Sequence, residues 1–175
     1  MFKKKSAYVL PVVVLLFLSL ITSASTVGTR VDAQDSDKTQ HQTVYFHTIE
    51  SDHGKLSGTT DEINWYQGAD ADRIFAERDP EAAAEIGGAP DSYYIVNDVD
   101  TLTTYPIADN ATVTMQIFDH NGNMDDLDIN WNESITLQQF MDQFNKTDVI
   151  DLSQFPYHIT IQDGVITSIV QQYIP

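Results

Sequence analysis

The chain predicts an α+β fold: an antiparallel curled sheet or small open β-barrel of six or seven strands, with two or three short helices. Three observations carry that expectation. Short β-branched and aromatic runs recur between residues 43 and 173, separated by turn residues. The pairs Asn121-Gly122 and Asp163-Gly164 are hairpin signals, and hairpins join antiparallel neighbours. Only residues 69–86 and 137–145 have helical composition or spacing. An oligosaccharide/oligonucleotide-binding-like barrel is one arrangement of such elements.

Residues 1–33 read as a secretory leader. Lys3, Lys4 and Lys5 begin it, residues 7–22 carry no charge, and Val31-Asp32-Ala33 offers a small-residue cleavage site. Ala24 is the second candidate. A membrane-spanning helix needs about 20 predominantly apolar residues. This run is shorter and is interrupted by Pro11, which favours cleavage over anchoring. The expected location is therefore secreted or extracellular. An uncleaved leader would tether the same domain outside the membrane, and that leader is the only membrane contact expected.

The chain has no cysteine, so a disulfide framework, a thiol nucleophile and a thiolate metal site are excluded. Its core alone must hold it together. The leader contains Lys3, Lys4, Lys5, Arg30 and Asp32, so a cut after Ala33 takes the net charge from −17 to −20. Such a field repels phosphate backbones and anionic lipid, and no nucleic-acid partner is expected. The acidity suits a solvated surface, attraction to cationic partners, or divalent cation binding, in that order.

Residues 34–42 are polar without a large apolar side chain and read as a flexible tether, leaving 43–175 as a single α+β domain. Residues 43–49 are the first strand, 50–60 a loop, and 62–66 a short strand. Residues 69–86 read as two short helices or one broken helix. Asp79 is a cap, Pro80 suits a first helical position, and Gly87-Gly88 is a stop. Strands follow at 92–96 and 101–107, where Pro106 marks an edge or an end.

Residues 112–118 alternate most clearly, with Val113, Met115 and Ile117 on one face. Leu127, Ile129 and Trp131 alternate next. A tight turn at Asn121-Gly122 would set Ile117 against Asp126, so an irregular loop that sets Ile117 against Leu127 is expected. Thr136 and Gln139 form a capping box, with Ile135 and Phe140 as its staple and Leu137, Phe140, Met141 and Phe144 as a core stripe. Residues 157–162 and 165–173 close the chain as a hairpin.

The segments Tyr93-Tyr94-Ile95-Val96-Asn97-Asp98 and Leu102-Thr103-Thr104-Tyr105-Pro106-Ile107 resemble a motif of small exported bacterial proteins, mainly from Gram-positive organisms. Ile63-Asn64-Trp65-Tyr66-Gln67-Gly68 and the terminal Gln-Tyr-Ile-Pro extend the similarity. That family has no assigned biochemical activity. The resemblance implies secretion and a single domain, and it brings no catalytic residue. Thr103 stands where the family carries a basic residue, so no anion site follows from it.

The densest oxygen cluster runs from Asp119 to Asp128, where Asp119, Asn121, Asn123 and Asp125 alternate as candidate calcium ligands. Two mismatches oppose a helix-loop-helix calcium site. Gly122 is the fourth residue instead of the sixth, and Asn130 stands where a closing glutamate belongs. The plain alternative is a polar hairpin tip without a cofactor. The histidines form no HExxH pair, and no nucleophile elbow or phosphate loop is present. With so many carboxylates, a glycosidase-like pair is a second route to function.

Trp65, Tyr93, Tyr94, Asn97 and Tyr105 are the candidate ligand-binding residues. The first expectation is a secreted, non-enzymatic binding protein for an extracellular or cell-wall ligand. Its alternatives are a small exported hydrolase with a carboxylate pair and a calcium-stabilised surface module.

Overall fold

Alternation along the strands closes them around a common interior. The structure, a computed structural model, describes residues 38–175. The expected leader and residues 34–37 of the expected tether lie outside the described residues. Seven strands and three short helices follow: β1 (Thr39–Asp52), β2 (Lys55–Gln67), α1 (Ala69–Arg78), α2 (Pro80–Ile86), β3 (Tyr93–Val96), β4 (Leu102–Met115), β5 (Glu133–Ile135), α3 (Leu137–Phe144), β6 (Pro156–Gln162) and β7 (Val165–Gln171).

The strand order is β3-β2-β1-β6-β7-β4-β5, and an additional β2–β4 pairing closes β1, β2, β4, β7 and β6 into a five-stranded barrel. The barrel is thus closed where sequence reading allowed an open one. It is also not wholly antiparallel, because β4 and β7 run parallel. β3 extends the sheet beyond β2, and β5 lies beside β4.

Val44, Phe46, Ile107, Val113, Met115, Tyr157, Ile159, Ile161, Ile166 and Ile169 fill the interior. α3 plugs it, and Phe140 and Phe144 meet Phe46 edge-on at 6.1 and 6.2 Å. The capping box forms as expected. The Thr136 hydroxyl accepts from Gln139 N–H at 3.1 Å, and the Gln139 side chain accepts from Thr136 N–H at 2.9 Å. Leu137 and Met141 pack on the same core. Asp79 caps α2 by accepting from Ala82 N–H at 3.0 Å, and Gly87 ends that helix.

Several boundaries differ from expectation. β1 begins at Thr39, because residues 39–42 pair with β6 from Thr39↔Gln162 to Gln42↔Ile159. A polar run therefore makes strand instead of tether, held by backbone bonds that polarity does not prevent. Residues 50–60, expected as loop, form the β1–β2 hairpin around His53-Gly54, whose φ values of 49° and 79° are those of a primed turn. Gly58 lies where β2 passes over Phe46. A Cβ there would sit 2.6 Å from the Phe46 ring.

The strands expected at 101–107 and 112–118 are joined in one long strand, β4, which ends at Met115 and changes partner along its length. Leu102 to Ile107 pair with β2, and Ile107 to Thr114 pair with β7. Pro106 needs no second partner in that arrangement. Beyond Met115 the alternation breaks. Gln116 is buried, and its side chain donates to the Gln171 carbonyl at 3.2 Å and accepts from Asn132 N–H at 2.9 Å. The Gln171 side chain in turn accepts from Gln116 and Ile117 N–H.

These side chains take the place of a ladder, so residues 127–131 form no strand. Trp131 is left 65 % exposed, with its edge toward Tyr173. The loop is irregular, as expected. However, it spans residues 116–132, and the strand that pairs with β4 is β5, with Val113↔Ile135.

Candidate functional site

Register assigns the outer face of β2. The pairs Tyr45↔Asp61 and Thr43↔Ile63 point away from the barrel-interior set of Val44, Phe46 and Thr60, and Asp61 and Ile63 are themselves buried on that side. The same face continues into β3 through Trp65↔Ile95 and Gln67↔Tyr93. Trp65 and Tyr93 are diagonal neighbours there and stack with ring centroids 4.7 Å apart and planes 11° from parallel. Burial, with Tyr93 nearby as a lesser cause, raises the Tyr45 phenol above its ordinary pKa, so it stays protonated.

A cleft of about 690 Å³ opens beside Tyr45. It is lined by His47, Asp61, Asn97, Asp100, Leu102 and Gln154, among others. A bulge in β1 between Phe46 and Thr48 leaves His47 outside the regular pairing and sets it at this cleft. No lysine or arginine is among the lining residues.

Asp61 is the structural centre of the cleft. It is 3 % exposed, and its carboxylate accepts from the Asn97 side-chain amide at 2.6 Å and from Thr101 N–H at 3.1 Å. The two bonds grip both ends of the β3–β4 connection. Arg78 of α1 holds the middle. Its guanidinium donates to Asp98 through two nitrogens, one at 2.8 Å, and this keeps the Asp98 carboxyl below its usual range. The cleft wall is therefore built by long-range polar contacts from β2 and α1.

Three of the five expected ligand residues share this region: Trp65 and Tyr93 on the outer face, and Asn97 at the cleft. Tyr94 does not join them. It lies on the opposite face of β3, its ring centroid 5.5 Å from Phe75 of α1, as alternation along a strand requires. Tyr105 pairs with Gly58 and packs against the barrel core. Sequence reading missed Tyr45, His47, Asp61, Asp100, Leu102 and Gln154. One signal was available: aspartate is depleted in strands, and Asp61 sits inside a β-branched strand run.

The expected calcium ligands are neighbours, but the side chains of Asp119, Asn121 and Asn123 serve their own loop. The Asp119 carboxylate accepts from Asn121 and Gly122 N–H, Asn121 accepts from Asn123 N–H at 3.0 Å, and Asn123 accepts from Asp125 N–H at 3.2 Å. These are successive turn-closing bonds. Lys146 lines the adjoining cleft with Asp119 and His120, so a cation already faces that space. Among the described residues no group of three or more histidines and carboxylates is arranged to hold a metal.

Searches against family models, curated proteins and solved structures return no match to this chain.

Proposed function

We propose that this protein is an exported, non-enzymatic binding protein. Its ligand occupies the cleft between Tyr45, Asp61, Asn97 and Gln154 and extends along the Trp65–Tyr93 stack. The carrying observation is the polar cleft, with a half-buried aromatic stack farther along the same strand. Aromatic faces and fixed amide and carboxylate groups are what a polar, ring-containing ligand from a cell wall or the extracellular medium requires.

The topology supports the same reading. Taken around the barrel, β1-β2-β4-β7-β6, with α3 between β4 and β6, agrees with an oligosaccharide/oligonucleotide-binding barrel. Such barrels bind across their second and third strands. Here those strands are β2 and β4, which meet at the cleft through Asp61↔Leu102. The uncharged leader run and the resemblance to exported bacterial proteins support export.

The hydrolase alternative has Asp61 and Asp100 in one cleft. A glycosidase needs both carboxyl groups to face the scissile bond. Asp61 is instead engaged by Asn97 and Thr101, and Asp100 is solvent-exposed. Binding is therefore the better use of this geometry.

Retention of the purified protein on insoluble cell-wall material tests the proposal. The wild type should be retained, and Trp65→Ala should weaken retention about tenfold, since aromatic contacts contribute about 0.5–1.5 kcal/mol beyond the area they bury. Equal retention of the two proteins, or none by the wild type, would remove the proposed ligand site.

A further inference from the structure

Among the described residues β3 pairs with β2 alone, so one of its edges is open. The phase of the ladder says which backbone groups lie there. Gly68 N–H donates to the Ser92 carbonyl at 2.9 Å, which makes Gly68↔Ser92 a hydrogen-bonded position. Tyr66↔Tyr94 and Asn64↔Val96 fall at the same phase. Tyr94 and Val96 therefore spend their backbone groups on β2, while Tyr93 and Ile95 direct theirs the other way. Tyr93 N–H turns back to the Pro90 carbonyl. The Tyr93 carbonyl and both backbone groups of Ile95 are left along the open edge.

Proline, lysine or a bulge commonly blunts such an edge. β3 carries none of them. Tyr93-Tyr94-Ile95-Val96 is an unbroken aromatic and β-branched run in regular register with β2. Both faces also offer side chains to a newcomer. Tyr93 and Ile95 are half-buried on one face, and Tyr94 is half-buried on the other, beside Phe75. An added strand would lay alternate apolar side chains against them.

Charge selects the occupant. Asp91, exposed, stands just before β3, and Asp98 and Asp100, also exposed, stand just after it. Of these, Asp98 is paired with Arg78. A second copy of the chain would bring the same three carboxylates to this edge and a net charge of −17 against −17. A segment with basic residues at both ends meets opposite charge at both.

We infer that β3 is a docking edge for an extended peptide segment with alternating apolar side chains and Lys or Arg at each end, which joins the sheet as a new strand through the Ile95 backbone. Such docking needs no ligand in the cleft.

The test titrates the full chain with two labelled, end-blocked peptides that share a Val-Thr-Val-Thr-Val centre. One carries two lysines at each end, the other two glutamates. Hydrogen exchange is followed at single amides. In the free chain the Ile95 amide should exchange far faster than those of Tyr94 and Val96. The lysine peptide should bind at least about tenfold more tightly than the glutamate peptide and slow Ile95 exchange about tenfold or more. Its advantage should shrink in roughly 0.5 M salt and in the double variant Asp91→Asn, Asp100→Asn. Ile95→Pro removes the edge donor and leaves the bonds to β2, so it should abolish binding with little change in the urea midpoint. If that variant does not fold, the Ile95 amide of the wild type still decides the question.

Equal binding of the two peptides would overturn the choice of a basic partner. No binding of the lysine peptide, or binding that leaves Ile95 exchange unchanged, would overturn the docking edge itself. An Ile95 amide already protected in the free chain would do the same, and dimers in sedimentation would then assign the edge to a second copy.

Discussion

Asn97 shows how one side chain carries a site wall. Its amide donates to a carboxylate that the sheet has already buried, at 2.6 Å, and Thr101 N–H completes the grip. A buried carboxylate that loses its donor keeps its desolvation cost without its partner. Asn97→Ala should therefore destabilise the fold by about 1.5–3 kcal/mol, the range for hydrogen bonds to charged groups. Urea unfolding measures it, and a change below about 0.5 kcal/mol would mean that the wall is held elsewhere. The neighbouring residues could be read in the sequence as a tyrosine-rich strand ending in Asn. Asp61, its partner 36 residues upstream, could not, because no local pattern links positions so far apart.

At the scale of elements, local signals succeed where the element satisfies its own backbone. α3 is the clearest case. Its capping box and its apolar spacing lie within ten residues, and the structure forms the box and buries the stripe, with Ile135 packed on the same core. Thr136→Ala removes an N-cap and should cost about 1 kcal/mol, read as a lowered urea midpoint with unchanged slope. Thr136→Ser should recover most of it, since serine caps equally well. The terminal hairpin is another local success. Asp163-Gly164 takes φ values of 51° and 82°, as a primed turn demands.

Local signals fail where side chains outcompete the ladder. Residues 127–131 alternate like a strand, yet Asn130 N–H bonds to the Gln116 carbonyl and Asn132 N–H to the Gln116 side chain. With those donors taken by one buried glutamine, no regular strand can propagate. A bulge has a similar effect on β7. Thr167 is skipped in the pairing with β6, so Ile166 and Ile169 both face inward at a spacing that simple alternation does not predict.

At the scale of the molecule, stability should depend on pH at both extremes. On the acid side, the Ser153 hydroxyl lowers the Asp151 carboxyl pKa most, burial opposes it, and the Ser153 N–H and the Gln154 amide add lesser lowering effects. Its contribution is present above the ordinary aspartate pKa of about 4 and is lost as pH falls through the lowered folded value. On the alkaline side, burial raises the phenols of Tyr157 and Tyr45. Their contribution is complete below about pH 10 and is lost as pH rises toward the folded values, because the unfolded phenols ionise first.

Urea midpoints measured across pH should fall at both ends. Asp151→Asn should flatten the acid limb, and Tyr157→Phe the alkaline one. The second variant should also be less stable at neutral pH, since the Tyr157 hydroxyl donates to the Leu152 carbonyl at 2.9 Å in a buried site. A midpoint independent of pH above 10 would show that Tyr157 ionises without unfolding.

The sequence by itself determined the β-rich class, the absence of disulfide chemistry, helical structure at residues 69–86 and 137–145, the terminal hairpin and the aromatic character of the β2–β3 face. Each of these follows from residue type or from spacing within a few positions, where alternation and capping act directly on the backbone. Only the tertiary structure decided that β2 meets β4 to close the barrel, that β4 lies parallel to β7, and that Asp61 and Asn97 join to wall a cleft. Periodicity reports which face of a strand is buried. It does not report which distant strand covers that face, and the cleft exists only where four separate segments of the chain meet.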